Sequence, residues 1–161
     1  MKAVVQRVMS ASVSVDGEMV SSIGKGIVAL IGIHRDDTVK EVEYIVRKLI
    51  NIRLWEDESG RRWAKSPKDL DLEILCVSQF TLYHSMKGNK PDFRSAMSGD
   101  KSLELYNQFL SQMKKGHSED KIKNGVFGAM MQVELINDGP VTLELESLPE
   151  KRSEPEPQPA E

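Results

Sequence analysis

Apolar and polar positions alternate with period two over residues 3–8 and again over 11–15, where Val13 and Val15 are set against serines. Such alternation marks a half-buried strand. Asp16-Gly17 is a two-residue hairpin signal, so Met19 to Ile23 reads as the return strand. Gly24-Lys25-Gly26 interrupts the pattern. Its glycines are too few and wrongly spaced for a phosphate loop, which leaves a turn. Ile27-Val28-Ala29-Leu30-Ile31-Gly32-Ile33 is apolar without a break, the mark of a strand covered on both faces.

The period then changes. Thr38 to Ile52 predicts a helix: Thr38 and Glu41 have the spacing of a capping box, and Val39, Val42, Val46, Leu49 and Ile50 fall on one stripe. Lys40, Glu43, Arg47 and Lys48 lie opposite as a solvated face. Arg53-Leu54-Trp55 returns to extended chain. Glu56-Asp57-Glu58-Ser59-Gly60 reads as an acidic turn, because consecutive carboxylates ending in glycine lack the ligand spacing of a metal loop. Ile74 to Leu82 predicts a second buried strand, and Tyr83 to Pro91 a polar loop. A second helix is predicted over Lys101 to Lys115, capped by Ser98 or Asp100, with Leu103, Tyr106, Leu110 and Met113 as its buried stripe. Lys114 and Lys115 suit its negative end, and Gly116 the residue beyond.

The last two strands are expected over residues 129–136 and 141–147, with Met131, Val133 and Leu135 alternating in one and Val141, Leu143 and Leu145 in the other. Asn137-Asp138-Gly139-Pro140-Val141-Thr142 lies at their junction. Its composition reads as a hairpin turn. A second reading is a rigid backbone finger whose carbonyls line a pocket: Gly139 admits a close neighbour, and Pro140 fixes its own φ and biases Gly139 towards extended backbone. The pattern as a whole predicts a mixed α/β domain of six to eight strands, mostly hairpin-connected, in a curved, barrel-like sheet with two main helices. Its edge strands favour a homodimer.

Composition narrows the classes. The 161 residues suggest one domain, 1–148, followed by a Pro/Glu-rich tail, 149–161, expected to be disordered. No apolar run reaches the roughly 20 residues of a membrane span, and the first residues read as a strand and not as a signal peptide. Cys76 is the only cysteine, so no intramolecular disulfide forms, and a cytoplasmic setting is the simplest expectation. Net charge is −3, and the tail accounts for most of it, leaving a body of 20 bases and 21 acids. A nucleic-acid partner would therefore need a locally basic face. Lys87, Lys90 and Arg94, or Arg61, Arg62, Lys65 and Lys68, can supply one, although scattered surface bases are the commoner case.

The unusual chemistry is at Ser78-Gln79-Phe80-Thr81. Polar side chains ending an apolar strand either meet solvent or face a cavity. In the second case the hydroxyls and backbone amides act as donors and Phe80 as an apolar or stacking wall. Thr81 as a nucleophile would need a base, for which His84 is nearest in sequence. His34 and His117 lie in polar, loop-like surroundings. No histidine–acid set has metal-ligand spacing, and neither a metal nor another cofactor is expected. Cys76, among apolar neighbours, reads as an inert core residue.

Together, Ser78-Gln79-Phe80-Thr81-Leu82, Lys87-Gly88-Asn89-Lys90-Pro91-Asp92-Phe93 and Asn137-Asp138-Gly139-Pro140-Val141-Thr142 resemble the D-aminoacyl-tRNA deacylase (D-tyrosyl-tRNA deacylase) family, in its animal-type form. The opening Met1-Lys2-Ala3-Val4-Val5-Gln6-Arg7-Val8 resembles that family's first strand, and the likeness runs to about residue 148. The resemblance implies a homodimer that hydrolyses the ester between a D-amino acid, or mischarged glycine, and the 3′ end of tRNA. It implies that Gly139-Pro140 is cis and enters the partner's site, facing Ser78, Gln79, Phe80 and Thr81, with Arg7 and Met131 near the pocket. It also implies help from the terminal ribose 2′-OH, so that Thr81 need not attack. A related branch, with a different first motif and a trans Gly-Pro, prefers certain L-aminoacyl-tRNAs; Ser78-Gln79 favours the D-specific branch. The alternative is a nucleic-acid-binding, replication-associated protein on the same fold.

Overall fold

The structure is a computed structural model that describes residues 1–149; the tail expected from 149 onward lies almost wholly outside the described residues. Six strands form the main sheet: β1 (Lys2–Val15), β2 (Glu18–Ile23), β3 (Gly26–Gly32), β4 (Glu73–Ser78), β7 (Ile122–Asn124) and β8 (Gln132–Glu146). β1 is a single strand where two were expected. β8 runs antiparallel along one edge of it, from Lys2↔Glu146 to Ser14↔Gln132. β2 and β3 share the other edge, with Ala11↔Ile23 and Val8↔Gly26, so the predicted turn at Gly24-Lys25-Gly26 is only a bend in one long return. Ser21 Oγ donates to the Asn124 carbonyl at 2.7 Å, drawing β2 towards β7 and nearly closing the barrel.

The expectation of mostly hairpin connections is corrected in the second half of the sheet. β3, β4 and β7 are mutually parallel. Parallel neighbours need crossovers, supplied by α1 (Val39–Asn51), with the short α2 (Pro67–Leu70), and by α3 (Gly99–Gly116). Alternation along β3 and β4 then separates two cores. Ile27, Ala29, Ile31, Ile74 and Cys76 face the helices, meeting Val42, Ile45, Leu49, Tyr106 and Phe109. Val28, Leu75 and Val77 face the barrel interior with Val8, Ala11 and Val13. Full burial of each large side chain is worth roughly 1.5–3 kcal/mol.

Thr38 caps α1 with the predicted capping box. Val39 is exposed and Ile45 takes its place in the buried stripe. In α3, Leu103 is exposed while Leu105 and Phe109 are buried, because the helix turns that face to α1. Ser98 stands at the N-cap but its side chain makes no capping bond.

Asn137–Thr142 is not a hairpin turn. β8 stays antiparallel to β1 on both sides of it, and the chain does not reverse. Between Asn137, opposite Val8, and Thr142, opposite Gln6, the residues Asp138–Val141 face Arg7 alone, so the segment is a large bulge. Bulges bend a strand and re-aim its residues. Val133 and Leu143, expected as half-buried, are instead exposed, as is Ile136.

Candidate functional site

β4 ends at Ser78, short of the predicted Leu82, and Phe80–Leu82 coils into a 3-10 turn. Two features of β3 hold this turn. Gln79 N–H donates to the Ile31 carbonyl at 2.7 Å, and a Cβ on Gly32 would lie 2.8 Å from Leu82 Cβ and 3.2 Å from the Gln79 carbonyl oxygen. Only a glycine there lets the turn lie against the strand. The hydrogen bonds of the turn begin with Leu82 N–H to Gln79 O and Tyr83 N–H to Phe80 O. Among the described residues the Phe80 and Thr81 amides have no acceptor, as expected for an opening turn.

The turn forms one wall of a cavity of about 600 Å³ at the carboxyl ends of parallel strands β3 and β4, the usual position for ligands in open α/β sheets. Ser78, Gln79, Phe80, Thr81 and Met131 line it. Phe80 is 57% exposed, and its ring meets Phe93 edge to face at 5.1 Å. The far wall comes from Phe93, the Ala96–Gly99 entry to α3, Ser102 and the 127–130 loop. Of these, only Phe93 falls in a motif singled out in the sequence. The others are joined to the site by loops whose composition carries no sign of it.

Side-chain contacts argue against an activated nucleophile. Thr81 Oγ1 accepts a hydrogen bond from Gln79 Nε2. His84 Nδ1 lies 2.7 Å from the Thr81 carbonyl oxygen, to which it must donate, so that nitrogen cannot accept the hydroxyl's proton. Burial pushes the Cys76 thiol up to about 12, which leaves it inert as expected. Tyr83, next to the turn, is raised well above the ordinary tyrosine value by burial and by the charges of Asp37 and Glu146. Among the described residues no group of three His, Cys, Asp or Glu side chains could hold a metal ion.

Arg7, Gly139 and Pro140 do not line this cavity. They form a separate feature on the outer strand. The Gly139–Pro140 peptide bond is cis, and Gly139 has φ +123°. A Cβ on Gly139 would sit 3.1 Å from Val141 Cγ2 and 3.2 Å from Arg7 Nη2. Arg7 Nε donates to the Asp138 carbonyl at 3.1 Å and lies 3.4 Å from its carboxylate, while Nη1 donates to the Leu54 carbonyl. The guanidinium thus ties the bulge to the segment after α1.

Fold and cavity define an α/β barrel with a cavity at the carboxyl ends of its parallel strands and a second, exposed motif on its outer strand. A sequence model of the family described as D-Tyr-tRNA(Tyr) deacylase matches residues 4–146. A D-aminoacyl-tRNA deacylase of Drosophila melanogaster is 58% identical over 156 residues, covering 97% of this chain and 98% of that one. The human D-aminoacyl-tRNA deacylase 1 is 58% identical over 147 residues, covering 91% and 70%. A solved structure named "c-Myc DNA Unwinding Element Binding Protein" superposes with TM-score 0.89 at 57% identity, covering 92% of this chain and all of that one. The chain belongs to the D-Tyr-tRNA(Tyr) deacylase family.

Proposed function

We propose that the protein hydrolyses the ester joining a D-amino acid to the 3′ end of tRNA, as a homodimer, and so serves chiral proofreading in translation in the cytoplasm. Water adds to the ester carbonyl, and the oxyanion is met by the Phe80 and Thr81 amides. Collapse releases the amino acid and a tRNA with a free 3′ hydroxyl. Ser78 and Gln79 shape the wall, Met131 packs against the bound end, and the terminal ribose 2′-OH assists. No protein nucleophile is required, because an aminoacyl ester is already activated and needs chiefly positioning.

The observation that carries this reading is the wall itself: the Phe80 and Thr81 amides, without acceptors among the described residues, on a cavity wall where the Thr81 hydroxyl is already engaged by Gln79. Selection is assigned to Gly139 and Pro140 of the partner subunit. Their carbonyls, on a bulge tied down by Arg7, meet the L side-chain position and leave room for hydrogen. This is specificity by rejection. Glycine, which has no side chain to reject, is also hydrolysed. The open outer edge of β8 and exposed Val133, Ile136 and Leu143 support pairing with a second copy. Among the described residues no helix is long and apolar enough to cross a membrane.

Incubation with D-Tyr-tRNA and L-Tyr-tRNA tests the proposal. Rapid loss of the D ester with the L ester spared is expected, from a species of twice the 18.1 kDa chain mass. Equal loss, or none, would refute it. The solved relative named as a DNA-unwinding-element binding protein favours a second reading, nucleic-acid binding without essential hydrolysis. A chain that leaves both esters intact yet retains duplex DNA would support that reading.

A further inference from the structure

The polar loop expected over Tyr83–Pro91 folds as a small hairpin, β5 (Ser85–Lys87) and β6 (Lys90–Asp92), paired Ser85↔Asp92, Met86↔Pro91 and Lys87↔Lys90. We infer that this hairpin, with Arg94, is the seat for the phosphodiester backbone of the RNA strand that delivers the ester, immediately before its terminal nucleotide. The inference rests on the reading of the chain as an aminoacyl-tRNA hydrolase.

Residues 84–94 carry three bases and one acid in a chain of net charge −3. Lys87 stands directly opposite Lys90. Like charges in that relation destabilise a hairpin, and a lone two-stranded hairpin is marginal to begin with. The Lys87–Asp92 ion pair gives folding a reason for Lys87 but none for Lys90 opposite it, whereas a polyanion accounts for both. Asp92 gathers the cations: its carboxylate lies 3.1 Å from Lys87 Nζ and 2.9 Å from Arg94 Nε, and it leaves both side chains largely exposed. Lys90 has no carboxylate within 4.0 Å among the described residues. One acid against three bases leaves a net positive site.

Position supplies the second argument. Phe93 follows β6 directly, lines the cavity, and packs edge to face on Phe80 at 5.1 Å. Through Phe93 the hairpin that bears the cations adjoins the wall proposed to hold the ester, although the cations themselves do not line the cavity. A predominantly apolar cavity accepts the terminal group but gives no solvation to a phosphate, so the preceding phosphates must lie outside it. Exposed Phe80 beside a cationic strip is the combination that single-stranded nucleic acids engage, with stacking and charge acting together.

Kinetics on two substrates test this: D-Tyr-tRNA, and D-tyrosyl-adenosine, which has the same ester and no phosphate. K87Q/K90Q/R94Q is expected to lose about tenfold in kcat/KM on the tRNA at about 50 mM salt, and to flatten the slope of log(kcat/KM) against log[salt] by about 0.7 for each phosphate that is no longer neutralised. Its rate on D-tyrosyl-adenosine should stay within about twofold of the parent, since that substrate brings no phosphate to the hairpin. K90Q alone, at the position without a carboxylate partner among the described residues, should flatten the slope by the single-phosphate amount, about 0.7, at about threefold loss. An equal loss on both substrates would mean that the hairpin merely props the wall, and would overturn the inference. So would an unchanged rate on the tRNA. If the parent chain hydrolyses neither substrate, the deacylase reading falls, and the seat with it.

Discussion

The two motifs that set this chain apart are held in opposite ways. Ser78–Thr81 continues a core strand and is fixed by backbone: an amide bonded to Ile31, and a glycine at position 32 that permits contact with Leu82. Asp138–Val141 bulges from an edge strand, and Gly139 and Pro140 are exposed. Its anchor is one guanidinium, Arg7, more than a hundred residues away in the chain. The wall should therefore survive many side-chain changes, whereas the bulge should depend on a single side chain.

Removing that anchor should have the largest effect. Arg7→Ala frees the Asp138 and Leu54 carbonyls. D-ester turnover is expected to fall about a hundredfold, as misplacement of a positioning group by an ångström does. Discrimination between D and L esters should fall with it. Stability should drop by about 1.5–3 kcal/mol, the scale of hydrogen bonds to a charged donor. Arg7→Lys should not rescue selectivity, because one ammonium cannot span both carbonyls as the guanidinium fork does. Retained D/L selectivity in Arg7→Ala, measured on paired tRNA esters, would show that something other than Arg7 holds the bulge.

A change behind the wall should separate rate from selectivity. The methyl of Gly32→Ala would meet Leu82 and Gln79, an overpacking that costs about 1–3 kcal/mol. The 3-10 turn should shift and turnover should fall by about tenfold, with the D/L ratio unchanged. A collapse of that ratio, in the same assay, would mean that wall and bulge do not act independently.

The smallest effect should come from a site remote from both. Burial alone would raise the Glu41 carboxyl, but hydrogen bonds from the Thr38 hydroxyl and amide, each 2.7 Å, hold it below its ordinary range. A carboxyl depressed in the fold contributes stability above its unfolded pKa, near 4.5, and loses it as pH falls through the folded value. Thr38→Ala should cost about 1 kcal/mol at neutral pH. The gap to the parent in urea denaturation should narrow below about pH 4.5, while turnover and D/L ratio stay unchanged. A gap that widened in acid would contradict the assignment.

Legibility in the sequence followed the range of the interactions. The uninterrupted apolar runs at Ile27 and Ile74 identified strands buried on both faces, and Thr38 with Glu41 identified a helix start. The polar intrusion at Ser78–Thr81 was visible as an anomaly. Its 3-10 turn was not, because the turn depends on a hydrogen bond to β3 that exists only once β4 lies parallel beside it. The far wall at Ala96–Gly99 and 127–130 had no local signal, since loops brought it there. Arg7 became a candidate only through family resemblance.

Asn137–Thr142 marks the boundary most clearly. Asparagine, aspartate, glycine and proline in succession dictate that regular pairing fails there, and the sequence alone sufficed for that. Whether the chain reverses or bulges depended on its neighbour: β1 is long enough to pair with β8 on both sides of the interruption, so no reversal occurs. Periodicity is local and records which face of an element is buried. Register and the reach of Arg7 to Asp138 join distant parts of the chain, and only the packing of the folded sheet decides them.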